Sequence, residues 1–121
     1  MPCREEALKL DPERLAAVCL EMDKVHGPDL LAAAMRDLSE TVLRAKGWHR
    51  AGRRAELGLC ADRIAAIAEP VGLDGLARVA GDVAALSRAG DRVALAATLA
   101  RLDRIASRSA KVIWLLREMS G

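Results

Sequence analysis

Only a few side chains in this 121-residue chain combine a type and a spacing that suggest chemistry. Asp62 stands in Ala61-Asp62-Arg63-Ile64-Ala65-Ala66-Ile67-Ala68-Glu69-Pro70-Val71-Gly72. At about 100° per residue it falls ~160° around a helix from Ile64, on a face shared with Gly58, Leu59, Ala65 and Ala66. Solvated helix faces usually carry Lys, Glu and Arg, so an acid ringed by small and apolar residues marks a candidate docking position. His49 lies in Trp48-His49-Arg50-Ala51-Gly52-Arg53-Arg54, and imidazole is a side chain that can serve as a nucleophile. His26, in a Gly-Pro loop, reads as structural. Cys3, Cys19 and Cys60 are odd in number and share no metal-ligand spacing; they read as reduced, mostly buried thiols. Arg44, Lys46, Arg50, Arg53 and Arg54 put five cations within eleven residues, enough for a salt-sensitive attraction to a nucleic acid or an acidic face. No DNA-reading motif accompanies them, so a solvated face is the expected reading and no nucleic-acid partner is expected. No carboxylate pair, Ser/His/Asp set, phosphate-binding loop or Cys/His cluster can be assembled. No catalytic residue, metal or cofactor is therefore expected.

The elements that must position these residues are helical. Hydrophobic residues make up 52% of the chain and aromatics 2%, with two Trp and no Phe or Tyr. A core of Leu, Ala, Val, Ile and Met suits helix packing better than strand pairing, so the fold class is all-α. Residues 1–10 read as a frayed lead-in. Asp11 followed by Pro12 is a helix start signal, predicting a short helix to about Lys24 with Leu15, Val18, Cys19 and Met22 as its stripe. His26-Gly27-Pro28 breaks it. A second helix is predicted from Pro28 to about Ala45, with Leu30, Leu31, Ala34, Leu38, Thr41 and Val42 at helical spacing. Lys46-Gly47 is expected to separate it from a third helix starting near Trp48 and carrying both His49 and Asp62.

Proline removes an N–H and clashes with the preceding turn, so the third helix should end near Ala68 or Glu69, before Pro70. Its inward stripe is Leu57, Cys60, Ala61, Ile64 and Ile67. The fourth helix, Leu73 to Arg88, turns Leu76, Val79, Val83 and Leu86 inward. Ala89-Gly90-Asp91 then forms a compact turn in which Gly ends one helix and Asp caps the next. In the last helix Leu95, Leu99, Leu102, Ala106, Ser109, Ile113 and Leu116 alternate steps of four and three, the pattern of a bundle spine. Trp114 is expected in the core or at the bundle edge.

One domain spanning residues 1–121 is the default for this length. A formal net charge of +2 is too balanced to imply nucleic-acid binding. Fifteen of the nineteen basic residues are Arg, which with the Ala content suggests a GC-rich bacterial coding sequence. No apolar run approaches the ~20 residues of a membrane span, and Glu5 and Glu6 stand where a signal peptide would be apolar. A soluble, cytoplasmic protein is expected.

A short leading helix, four longer ones, a Pro/Gly break in the third and a Gly-Asp turn before the last together resemble the histidine phosphotransfer domain. These four-helix bundles relay phosphate between receiver domains in bacterial two-component pathways. The family carries a surface His followed by x-Leu-Lys-Gly, a small-residue segment, and a turn ten residues after the His. Here Gly72 lies ten residues after Asp62, Ile64 stands at the Leu position, and Leu73 to Asp91 resembles the family's fourth helix and turn. The match spans roughly residues 28–118 and implies an antiparallel up-down four-helix bundle with a short extra N-terminal helix. The departures concern the chemistry: Asp62 replaces the acceptor His, Ala65 the Lys and Ala66 the Gly. A lone surface carboxylate without a metal is a weak nucleophile whose charge repels the incoming phosphoryl group.

The resemblance thus implies a pseudo-phosphotransfer protein that binds a response-regulator receiver domain or a histidine kinase. It would modulate phosphoryl flow through a face of Gly58, Leu59, Asp62, Arg63, Ala65, Ala66 and Glu69 without carrying phosphate. Two alternatives stand beside it. One is an active relay using His49 as the acceptor; the other is a helical dimerisation or scaffold module whose Ala/Gly face is a self-interface, which makes a homodimer an open alternative.

Overall fold

The computed structural model describes the backbone of residues 28–120, together with the side chains of residues 32–115 and of Glu118. The expected lead-in over residues 1–10, the helix Pro12–Lys24, and Cys3, Cys19 and His26 lie outside the described residues. Within them the chain is all-helical: α1 Pro28–Arg50, α2 Arg54–Ala68, a 3-10 turn Glu69–Val71, α3 Asp74–Ala89 and α4 Arg92–Ser120. The helices pack as a bundle in which α2 lies against α1 and α3, and α4 lies against α3 and α1. No helix among the described residues is long and apolar enough to cross a membrane.

Three glycines with positive φ end the helices. Gly52 has φ 73°, Gly72 φ 79° and Gly90 φ 80°, the left-handed region where a Cβ is penalised. After α1, the Arg53 N–H donates to the Trp48 carbonyl at 2.9 Å and the Gly52 N–H to the His49 carbonyl at 3.1 Å. After the 3-10 turn, the Leu73 N–H donates to the Ala68 carbonyl at 3.0 Å and the Gly72 N–H to the Glu69 carbonyl at 3.1 Å. Both are the paired Schellman bonds that satisfy carbonyls left open at a helix end. α3 ends with the single bond from Gly90 N–H to the Leu86 carbonyl, 3.0 Å, and Asp91 Oδ1 then accepts the Ala94 N–H at 3.1 Å as the cap of α4.

These turns bear out the break at Pro70 and the Gly90-Asp91 junction, and correct the first one. Lys46-Gly47 does not separate two helices: α1 runs through both and ends at Arg50. A mid-helix glycine costs only about 1 kcal/mol relative to Ala. Ala45 is fully buried before it, Trp48 packs against the core after it, and Lys46 Nζ pairs with Asp103 Oδ2 of α4 at 3.0 Å, so tertiary contacts outweigh that cost.

The core is aliphatic. α1 contributes Leu38, Val42 and Ala45; α2 contributes Leu57, Ala61, Ile64 and Ala68; Val71 and Leu73 close the connection to α3. Leu76, Val79, Ala80, Val83 and Ala84 face in from α3. The predicted spine of α4 is buried at Leu95, Leu99, Leu102, Ala106, Ser109 and Ile113, joined by Ile105; the Leu116 side chain lies outside the described set. Cys60, Ile67 and Leu86 are only half-buried at its edge. The buried hydroxyls of Thr41, Ser87 and Ser109 each donate to a carbonyl about one turn back, Asp37 at 2.7 Å, Ala84 at 2.7 Å and Ile105 at 2.8 Å. Each thereby gains the partner that a buried polar group needs.

Candidate functional site

The candidate face follows from how α2 meets α3. Leu57, Ala61, Ile64 and Ala68 take the inward side of α2, which turns Ala55, Leu59, Asp62 and Ala66 outward at steps of four, three and four. All four are exposed, Leu59 at 66%. Asp62 meets solvent as expected, but not as a free charge. Arg88 Nη2 of α3 donates to its Oδ2 at 2.6 Å, so the acid expected to stand alone is half of an interhelical ion pair. Arg63 is likewise engaged: its Nη2 donates to Asp37 Oδ2 of α1 at 2.7 Å. These two bonds clamp α2 to both neighbours across its outer surface.

The remaining residues of the expected face divide between packing and exposure. Gly58 is buried, and a Cβ built there would stand 2.7 Å from Ser87 Oγ. Its small size is used inside the molecule, where it lets α2 approach α3, rather than kept clear for a partner. Ala65 is half-buried against the core, Ala66 is exposed, and Glu69 is exposed at the start of the 3-10 turn. The outer face of α3 adds exposed Gly81, Ala85, Arg88 and Ala89. Nothing lies within 4 Å of a Cβ placed on Gly81. A cleft of 470 Å³ between the two helices is lined by Arg54, Ala55, Gly58, Leu59, Ser87 and Arg88. The assembled surface is therefore Ala55, Leu59, Asp62, Ala66, Ala85 and Arg88: one large apolar side chain and one ion pair on a ground of alanines.

Arg88 is the residue that reading the sequence missed. It stands 26 positions from Asp62, and nothing in the local pattern of either helix announces the pairing.

His49 is not on the helix of Asp62. It is half-buried in the last turn of α1, where a basic residue meets the helix dipole favourably. It borders an open groove with Gly52, Arg54, Gly90, Arg92 and Val93. The basic cluster is dispersed. Lys46 turns to Asp103, and Arg53 pairs with Glu56 at 2.6 Å and lies 5.7 Å from the centre of the Trp48 ring. Cys60 is a free thiol whose pKa is raised by burial, an effect only partly countered by Arg44, by a hydrogen bond with Trp48 and by Arg63. Among the described residues no group of three or more His, Cys, Asp or Glu is arranged to hold a metal ion.

Comparison of the chain with protein-family models, curated proteins and solved structures gave no match.

Proposed function

We propose that this chain is a pseudo-phosphotransfer protein: an antiparallel, histidine phosphotransfer-like bundle that docks a receiver domain or a histidine kinase through the outer face of α2 and α3. It alters phosphoryl flow by occupying its partner. The observation that carries the reading is the placement of Asp62: exposed on α2, ten residues ahead of the left-handed Gly72, with α3 and the left-handed Gly90 following in the expected order. The character of the face supports docking. Leu59 offers an apolar anchor, Ala55, Ala66 and Ala85 leave backbone close to the surface, and the Asp62–Arg88 pair supplies a polar mark of both signs. Arg63 and Glu69 form the rim, while Gly58 and Ala65 support the face from beneath.

The same geometry argues against covalent relay at Asp62 and against charge mimicry of a phosphohistidine. A carboxylate whose oxygen already accepts from Arg88 presents little net charge to a partner. Relay through His49 has weaker support, since His49 belongs to the C-terminal turn of α1 and the spacing to Gly72 does not apply to it.

Isothermal titration of the purified protein against the receiver and kinase domains of its own organism tests the proposal. Binding to at least one is expected, with Ala66→Arg weakening it at least tenfold while the helical circular dichroism is unchanged. Failure to bind any of them, or binding indifferent to Ala66→Arg, overturns it.

A further inference from the structure

Two further cavities lie outside the Asp62 face. One is an apolar groove of 590 Å³ between α1 and α4, with Trp114, 61% exposed, on its open wall. The other is lined with cations. It opens where the α1–α2 turn meets the α3–α4 turn, has a volume of 1060 Å³, and gathers His49, Arg54 and Arg92 around Gly52, Gly90 and Val93.

Each of the three basic side chains comes from a different helix: His49 from the last turn of α1, Arg54 and Arg92 from the first residues of α2 and α4. Among the described residues none of the three makes an ion pair or a side-chain hydrogen bond. The acids close to them in sequence are engaged elsewhere. Glu56 pairs with Arg53, and Asp91 Oδ1 accepts the Ala94 N–H. A cation in the first turn of a helix opposes the helix dipole, and Arg54 and Arg92 both stand there. They line one groove with no carboxylate in its lining, so their mutual repulsion is unrelieved. Arg54 is nonetheless held in position: its guanidinium lies over Gly90, with Cζ 3.6 Å from the place a Cβ would take. A side chain at residue 90 would displace it.

We propose that this groove binds a small phosphate monoester, its phosphate between Arg54 and Arg92 and its organic body against Val93, Leu95 and Ala96. Guanidinium forks match phosphate oxygens in pairs, and an imidazole N–H from His49 serves a further one. A phosphate alone fills little of a groove near the upper end of the ~300–1,000 Å³ of small-molecule sites, so the head must carry a body. Val93, 83% exposed beside the cations, is apolar surface for that body to cover. Bound phosphate also offsets the repulsion between the arginines. The binding is non-covalent, with His49 a donor and no phosphoryl group passed to it. The groove shares no residue with the surface of Ala55, Leu59, Asp62, Ala66, Ala85 and Arg88, and the proposal holds whether or not that surface docks a receiver.

Titration of the isotope-labelled full-length chain with phenyl phosphate, inorganic phosphate and phenol, followed by amide shifts, tests it. Phenyl phosphate should bind with a Kd of about 1 mM or below, about tenfold tighter than either fragment. Its shifts should concentrate at Gly52, Gly90 and Val93, which locates the ligand without any variant. Arg54→Gln and Arg92→Gln should each weaken binding about tenfold and leave the melting temperature unchanged or raised, where a structural role for the arginines would lower it. No binding at about 10 mM phenyl phosphate, shifts centred elsewhere, or an affinity indifferent to both arginine changes overturns the proposal. Inorganic phosphate binding as tightly as phenyl phosphate would leave the organic body without a seat and overturn it too. So would an oligothymidylate that shifts the same amides at about a tenth of the concentration, which would assign the groove to a nucleic-acid backbone.

Discussion

Arg88 reaches across from α3 to donate to Asp62 of α2 at 2.6 Å, with roughly half of each side chain open to solvent. Water and dissolved salt screen such a pair, and exposed ion pairs contribute only about 0.2–1 kcal/mol. Arg88→Ala and Asp62→Asn should therefore each lower the free energy of unfolding by less than about 1 kcal/mol. The difference from wild type should shrink in 1 M salt. Urea titration at two ionic strengths checks this, and a loss well above that figure would mean that the pair sustains the α2–α3 packing.

Gly58 and Ser87 form a tighter coupling. A methyl group at position 58 would meet the Ser87 hydroxyl at 2.7 Å but its Cβ at an ordinary 3.9 Å. Gly58→Ala alone should be neutral or destabilising, because the displaced hydroxyl loses its bond to the Ala84 carbonyl and offsets the gain in helix propensity. In a Ser87→Ala background the same change should stabilise by about 1 kcal/mol. The double-mutant cycle should thus show a coupling of about 0.5–1.5 kcal/mol; simple additivity would count against this account of the glycine.

Gly47 and Gly81 sit inside helices with nothing within 4 Å of the place an added methyl would take, while Gly52 and Gly90 have φ of 73° and 80°. Gly47→Ala and Gly81→Ala should each stabilise by about 0.5–1 kcal/mol. Gly52→Ala and Gly90→Ala should each destabilise by about 1 kcal/mol or more. At Gly90 the added methyl would also collide with the Arg54 guanidinium. Thermal melts of the four variants should sort into these two groups.

Burial pushes the Cys60 thiol above its ordinary range, so the folded state holds its proton at a pH where the unfolded chain has released it. The sign follows from linkage: this group's stabilisation is complete below the unfolded thiol pKa and is lost as pH rises toward the folded one. Iodoacetamide labelling of Cys60 in a Cys3→Ser, Cys19→Ser chain should therefore reach half its maximal rate at a higher pH when folded than in urea. Coincident midpoints would contradict the direction.

The parts of the fold that could be read in advance are those written in local stereochemistry or in a long period. Pro70 cannot continue a helix, Gly72 and Gly90 allow φ that other residues resist, and Asp91 caps through its own side chain, so these boundaries are properties of a few adjacent residues. Steps of four and three from Leu95 to Ile113 made the buried side of α4 recognisable for the same reason a heptad is. The α1–α2 junction was misplaced because Gly47 and Gly52 look alike as letters. Long-range contacts, the burial of Ala45, the packing of Trp48 against the core and the Lys46–Asp103 pair, keep the helix going past the first. Helical spacing was enough to turn Leu59, Asp62 and Ala66 toward solvent, yet the electrostatics around them were not legible: the ion pairs of Asp62 and Arg63 each join residues 26 positions apart, and the reason for Gly58 lies in another helix.

The absence of Phe and Tyr from the chain has an optical consequence. Its aliphatic core absorbs nothing in the near ultraviolet, so that signal comes from the two indoles. Trp48 sits beside the α1–α2 turn under the Arg53 guanidinium, and Trp114 on the open wall of the α1–α4 groove. Each reports on a different region of the molecule. Replacing either one by Phe leaves a chain with a single emitter, whose spectrum follows one end of the bundle alone.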